Sequence, residues 1–337
     1  MKPFIYFDPK NNYSFEGARL RKNLKGALEV SGNGWVSSLF ASPDVLHVIS
    51  PYDENKAHDA VEEGVKLVVS AFFVEDDPLC RFLEDDKKKG LVLKKNAERL
   101  IRCADLVIVP NQSAKDFLGT LAINPNVKVL SAGVNLARFE KNDPIEGVVF
   151  SRYVSIASNQ KFFFTVGDYD DIDSLKALNE VAGLLPGYKF YFAGIDKHGR
   201  LSNGARSRMK KIYTPNLNLL DLLDDDIYRS AMMNTFGYIS LGCSHPDYLT
   251  ALEAMAARRQ VFSLGPKAME DVVIDKKTGY VADSTDKLAK LLQSWCAKKL
   301  QSTIIEGYKT AKASSLLSVG KGLEGLYEEL IKEDDQI

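Results

Sequence analysis

Short runs of β-branched and aromatic residues alternate along this chain with longer stretches whose apolar residues recur every three or four positions. The short runs predict strands over 4–7, 45–49, 66–70, 106–109 and 127–130, and again over 162–166, 188–193, 236–240 and 261–264. Several are apolar without alternation, as a parallel sheet buried on both faces requires. The longer stretches predict helices from about residue 14, where Leu20, Leu24, Ala27 and Leu28 share one face, and over 53–63, 91–103, 172–184, 217–233, 248–258 and 284–297. Residues 199–211 read as loop plus helix. Ser113 and Asp116 have capping-box spacing, which places a helix start at Ser113. The C-terminus is helical but interrupted by Gly320, Gly322 and Gly325.

The rhythm breaks once. Residues 138–160 are irregular and hold Asp143-Pro144, which reads as a connection between two β-α series. Two such series predict an α/β chain of two Rossmann-like, doubly wound parallel-sheet domains. The expected division is 1–150, 151–315 and a C-terminal helix over 316–337. The 337 residues fit two cores of roughly 150 residues each. In open parallel sheets ligands bind at the carboxyl ends of the strands, so the facing ends of the two sheets are the expected site.

Composition adds exclusions. Hydrophobic residues are 45% and charged residues 26%, a globular profile. The net charge of −1 gives no overall field to recruit nucleic acid. The four cysteines have neither C-x-x-C nor zinc spacing, so reduced thiols in a cytoplasmic protein are expected. The first residues lack a basic-then-apolar leader, and no apolar run approaches the roughly 20 residues that span a bilayer. No G-x-G-x-x-G follows the first strand, which argues against a dinucleotide oxidoreductase.

The segment 244–256 carries the most chemistry. It joins a strand to a helix through Gly242-Cys243-Ser244-His245-Pro246-Asp247 and continues Leu252-Glu253-Ala254-Met255-Ala256. A carboxylate on such a helix accepts hydrogen bonds from a ribose diol, and the backbone N–H groups at the helix start meet phosphate. The plainer reading makes Glu253 a surface residue of an amphipathic helix.

This stretch resembles the C-terminal signature of the retaining GT-B glycosyltransferases of family 4, in which two glutamates flank a short turn and the second begins Glu-Ala-Met-Ala. Other pieces follow in the family's order. Residues 104–111, with Ser113 and Lys115, resemble its last N-domain strand and helix. Residues 127–135, with Phe139, resemble its Gly-Val-Asp…Phe hinge; residues 162–167 and 271–281 resemble the C-domain opening and the segment after the signature. The match runs over about 100–290. Residues 14–29, with Gly17 and Arg19, and 43–47 are similar to bacterial members that glycosylate diacylglycerol lipids.

The resemblance implies transfer of a hexose from a nucleotide sugar, a UDP-sugar by expectation, to a glycolipid or cell-surface-glycan acceptor. It implies that the C-terminal helix crosses back to the N-domain, and that side chains and helix ends serve in place of a metal or other cofactor. Glu253 is the implied nucleotide-sugar contact, with Ala254 beside it and Gly167 at the C-domain opening. The first glutamate of the pair falls on His245, with Asp247 two residues on as its acidic substitute; these two are the candidate catalytic groups. Gly17 lets a donor phosphate approach the backbone. Arg19, Lys176, Lys197 and Arg200 are candidate partners for the leaving diphosphate, beside the reading of each as a solvated charge. The family's phosphate-binding Arg falls on Asp168, followed by Tyr169-Asp170-Asp171. Such an acidic cluster repels a diphosphate, and with it goes the alternative of a catalytically degenerate GT-B subunit that binds a partner. Asp171-x-Asp173 reads as a helix cap or, alternatively, as a D-x-D metal motif. His47, within an apolar strand, reads as a satisfied core residue rather than a base.

Lys87, Lys88, Lys89, Lys94 and Lys95, with Arg99 and Arg102, surround an apolar strip on what reads as one helix. That suits either a solvated face or a helix lying on an anionic membrane surface, a peripheral site on the cytoplasmic side. No aromatics interleave the basic run, so nucleic acid is not expected.

Overall fold

Apolar strands without alternation need cover on both faces, and the chain provides it twice. The structure is a computed structural model that describes residues 3–7, 15–36, 38–50, 54–73, 80–85, 88–131, 133–140, 146–169, 171–195, 214–241, 248–265 and 272–334. The first elements are β1 (Pro3–Phe7), α1 (Phe15–Val30), β2 (Val45–Ser50), α2 (Glu54–Glu62), β3 (Lys66–Ser70), β4 (Cys80–Asp85), β5 (Lys88–Leu93), α3 (Lys95–Cys103), β6 (Leu106–Val109), α4 (Gln112–Leu121) and β7 (Val127–Val129). Next come α5 (Ala137–Glu140), α6 (Val149–Tyr153), β8 (Phe162–Asp168), α7 (Ile172–Gly183), β9 (Lys189–Ile195), β10 (Leu217–Leu220) and α8 (Asp225–Asn234). The last are β11 (Gly237–Leu241), α9 (Tyr248–Ala256), β12 (Val261–Leu264), β13 (Tyr280–Ala282), α10 (Thr285–Cys296), α11 (Ile304–Ala313) and α12 (Leu316–Asp334).

Two compact units result. One comprises Met1–Gly133 with Ser314–Ile337, the other Val134–Ala313. The division falls at Gly133, because α6 of the irregular stretch packs on α8 of the second unit.

The first unit holds a parallel sheet in the order β1-β2-β3-β6-β7. Val36 N donates to Pro3 O (2.9 Å) at the outer edge of β1, so the winding reverses between β1 and β2. One face buries Leu46, Leu67, Val69 and Val107 against Ala60, Leu100, Ile101 and Leu118 of α2, α3 and α4. Helix α12 packs along α1. Its glycines do not interrupt it: a Cβ on Gly320 would stand 2.1 Å from Ala27 O, so glycine lets the two helices approach closely. Two more expectations give way here. Helix α4 is capped by Asn111, whose side chain accepts from Ala114 N (2.8 Å), and Ser113 lies inside it. The basic segment is not one helix: Lys88 and Lys89 lie on β5 of a two-stranded antiparallel hairpin, opposite Asp85 and Glu84. Lys94 is the N-cap of α3 and Lys95 its first residue, while Lys87 falls outside the described residues. Pairing β4 with β5 satisfies a backbone that helical periodicity alone left unassigned.

His47 is fully buried on β2. Its Nδ1 lies 2.5 Å from Tyr327 Oη of α12 and its Nε2 2.7 Å from Ser70 Oγ of β3. A neutral imidazole offers one donor and one acceptor, and the two hydroxyls take the complementary roles. Burial pulls the imidazole pKa down to about 3 and pushes the Tyr327 phenol up.

The second unit holds a parallel sheet in the order β10-β9-β8-β11-β12-β13. On one face Phe163, Phe190, Phe192, Ile239 and Phe262 pack against Leu175 and Leu178 of α7 and Leu288 and Leu292 of α10. Residues 217–233, expected as one helix, divide into β10 and α8. Leu217 through Leu220 pair in register with Phe190 through Ala193, and the sheet overrides the helical spacing.

Candidate functional site

Strand order locates the site in the second unit. The sheet winds outward from β8 through β9 to β10, then restarts at β11 and winds the other way. The crevice outside the carboxyl ends of β8 and β11 is therefore its switch point. Gly167 and Asp168 end β8, and the turn after β11 leads into α9.

Glu253 stands on α9 and is 3% exposed. Its Oε1 accepts from Arg138 Nη1 at 3.2 Å, and its Oε2 accepts from Tyr228 Oη at 2.5 Å. Arg138, on α5, is the counter-charge that a buried carboxylate requires. The same guanidinium pairs through Nη2 with Asp225, the first residue of α8, and lies 5.1 Å from the Tyr228 ring centroid. Arg229 Nε donates to the Arg138 carbonyl, which ties α5 to α8. Glu253 is thus not the exposed residue of a solvated helix face. It is a carboxylate whose orientation three elements fix.

The other expected residues are placed as follows. Ala254, fully buried, is core of α9. A Cβ on Gly167 would meet Phe192 Cζ at 2.9 Å, so close packing within the sheet accounts for that glycine. Lys176, on α7, is exposed and pairs with Asp173 at 3.7 Å. Asp171 is the N-cap of α7: its carboxylate accepts from Ser174 N (3.0 Å) and from Ser174 Oγ (2.6 Å). That is the cap geometry rather than the metal motif. Gly17 lies in the first turn of α1, and Arg19, half-buried, two residues on; both belong to the first unit. His245, Asp247, Lys197 and Arg200 fall outside the described residues.

No family model matches the chain. A curated protein, the processive diacylglycerol alpha-glucosyltransferase of Acholeplasma laidlawii, is 22% identical over 240 residues, covering 71% of each chain. Sucrose-phosphate synthase from Thermosynechococcus elongatus superposes with a TM-score of 0.73 at 12% identity, over 98% of this chain and 99% of that one. Anabaena HepE, solved in complex with UDP-glucose, gives 0.71 at 11% identity over 97% and 99%. The chain has the GT-B fold. A glycosyltransferase from Rickettsia africae shares it, with a TM-score of 0.68 at 13% identity over 97% and 84%.

Within this GT-B chain, Arg138, Tyr228 and Asp225 are the members of the Glu253 cluster that sequence reasoning missed. Arg138 is 115 positions from Glu253 and Tyr228 is 25. No local spacing links them. The available signal was Arg138 itself, a cation directly before Phe139 in the segment that resembles the family hinge.

Proposed function

We propose that this GT-B chain is a retaining glycosyltransferase that moves a hexose from a UDP-sugar to a glycolipid or cell-surface-glycan acceptor. The observation that carries the reading is Glu253: a buried, oriented carboxylate on the helix that follows the switch-point strand β11. The Acholeplasma relative, by its name a diacylglycerol glucosyltransferase, and HepE, solved with UDP-glucose, support the same class of substrates. In this reading the ribose diol donates to the Glu253 carboxylate, and the N–H groups that open α9 face the diphosphate. His245 and Asp247, in the turn before α9, act at the transferred sugar. No metal or other cofactor takes part. The protein works at the cytoplasmic face of the membrane.

The test is donor binding and turnover. UDP-glucose in excess of its Kd raises the melting temperature by mass action. Incubated with diacylglycerol or glucosyl-diacylglycerol in mixed micelles, the protein releases UDP. Glu253→Gln keeps the side-chain shape and removes the charged acceptor, so it lowers turnover at least about 100-fold, with two charge-assisted hydrogen bonds weakened. Unchanged turnover would falsify the assignment of Glu253.

A second reading, a partner-binding GT-B subunit without catalysis, is favoured by one specific observation. The connection after β8 carries Asp168, Asp170, Asp171 and Asp173, and its first lysine, Lys176, is paired with Asp173. If no nucleotide sugar shifts the melting temperature and no UDP is released, this second reading stands.

A further inference from the structure

In a parallel sheet every strand starts at the same edge, so the segments that precede the strands gather there. In the second unit these segments carry Lys161 before β8, Lys189 at the start of β9, and Arg258 and Arg259 before β12. Lys298 and Lys299 follow α10, which starts at the opposite edge and ends at this one. Among the described residues none of these six cations has a carboxylate within ion-pair distance, whereas Lys176, Lys287 and Lys309 do. Lys276 and Lys277, before β13, add two more charges. Glu180, Asp275 and Glu306 are carboxylates on segments that reach this edge. Asp275 accepts from Val281 N at 3.0 Å, and Glu306 is paired with Lys309 at 2.7 Å.

Among the described residues, the opposite edge carries acidic groups. Asp168, Asp171, Asp221, Asp224, Asp225 and Asp283 follow or flank the carboxyl ends of β8, β10 and β13.

The basic edge also exposes aliphatic side chains. Leu184, before β9, is 45% exposed; Ile274, before β13, 39%; and Ile305, in the first turn of α11, 69%. Thr303 N donates to Gln260 Oε1 (3.1 Å), which fixes the start of α11 at this edge. Its aromatic rings are engaged: Trp295 Nε1 donates to Phe236 O (2.9 Å), and Lys161 Nζ lies 4.3 Å from the Phe236 centroid. Single-stranded nucleic acid needs aromatic faces open for stacking. An anionic lipid surface needs cations interspersed with aliphatic side chains that reach the acyl boundary. The edge has the second composition. Six strands about 4.8 Å apart spread it over about 24 Å.

We propose that the amino-end edge of the second unit's sheet docks on an anionic phospholipid membrane through Lys161, Lys298, Lys299 and their neighbours, with Ile305 and Ile274 entering the interface. The proposal rests on charge and exposure alone and stands whether or not the chain transfers sugar. It moves the membrane contact away from the β4–β5 hairpin, where the backbone register sets Lys88 and Lys89 opposite Asp85 and Glu84.

The test is vesicle co-sedimentation of the full chain. Expected is binding to vesicles with 40 mol% phosphatidylglycerol in phosphatidylcholine at 0.1 M salt, none to phosphatidylcholine alone, and release by 0.5 M salt. The triple variant Lys161→Glu, Lys298→Glu, Lys299→Glu lowers the partition coefficient by roughly 100-fold, from three cations close to an anionic leaflet. Its melting temperature falls by no more than a few degrees, since Lys298 and Lys299 are exposed and Lys161 gives up only its contact with the Phe236 ring. Ile305→Ser lowers vesicle partition about 5-fold and leaves binding to a soluble polyanion, heparin, unchanged. Lys88→Glu with Lys89→Glu leaves partition unchanged. The proposal is overturned if wild type ignores the anionic vesicles, if the triple variant binds as wild type does, or if only the hairpin variant loses binding. It is overturned too if Ile305→Ser changes nothing, since the partner is then a soluble polyanion.

Discussion

Each unit buries a polar cluster around one titratable side chain, and the two clusters solve the problem in opposite ways. In the first, His47 sits between the hydroxyls of Ser70 and Tyr327 and carries no charge; burial alone keeps its pKa near 3. In the second, Glu253 sits between Tyr228 and the guanidinium of Arg138, which Asp225 holds from its other side. The neutral cluster joins β2, β3 and α12 and has no opening to solvent, so its role is to pin the C-terminal helix to its own unit. The ionic cluster joins α5, α8 and α9 beside the switch point, and burying an ion pair is seldom the most stable filling for such a space. In the function proposed above, that charge serves the nucleotide sugar.

The largest effect separates the clusters by charge. Arg138→Met removes the counter-ion of a carboxylate whose side chain is 4% exposed, and costs about 3–5 kcal/mol. Adding Glu253→Gln recovers most of that loss, because the cost lies in the uncompensated charge. Urea denaturation of the single and double variants measures the coupling. A double variant as unstable as Arg138→Met would mean that packing, not charge, sets the cost, and the contrast with the neutral cluster would collapse.

The sequence made part of this legible. A strand such as β6 announces itself because an unbroken run of Leu, Val and Ile has nowhere to go but a buried sheet. Where strand and helix preferences were close, as over 217–220 and 88–93, only the partner strand decided the outcome, and a partner is a long-range fact. The α12 glycines misled for a similar reason. Their value is the approach to Ala27 O, which no local propensity records. At the site, Glu253 was legible through a signature of adjacent residues. Arg138 and Tyr228 were not, because they are neighbours only after folding. The basic edge of the second sheet is illegible for the same reason, being gathered from five separate segments.

A middle-sized effect tests the neutral cluster's role. Tyr327→Phe keeps the ring against His47, 5.8 Å between centroids at an 80° angle, and deletes one hydroxyl. It leaves His47 Nδ1 buried without that partner, at a cost of about 2 kcal/mol. Hydrogen exchange in α12 rises more than exchange in α9, since the latch belongs to the first unit. Equal loosening of both helices would show that Tyr327 does not act as a local latch.

The smallest effect is a pH dependence that comes from the neutral cluster. His47 titrates near 6.5 in the unfolded chain and at about 3 in the folded one. Between those values the unfolded state binds the extra proton, so folding stability falls as pH falls below about 6.5. From pH 7.5 to pH 5.5 the expected loss from this group is about 1.4 kcal/mol, roughly one pH unit below the unfolded pKa. Carboxylates add their own slope, so the quantity to measure is a difference. His47→Gln keeps one donor and one acceptor and cannot titrate, and its urea midpoint should drift less over this range than that of wild type. Parallel drifts in the two proteins would mean that His47 binds its proton in the folded state as readily as in the unfolded one. The triad would then be open to water, and the contrast between a sealed neutral cluster and an ionic one would have to be abandoned.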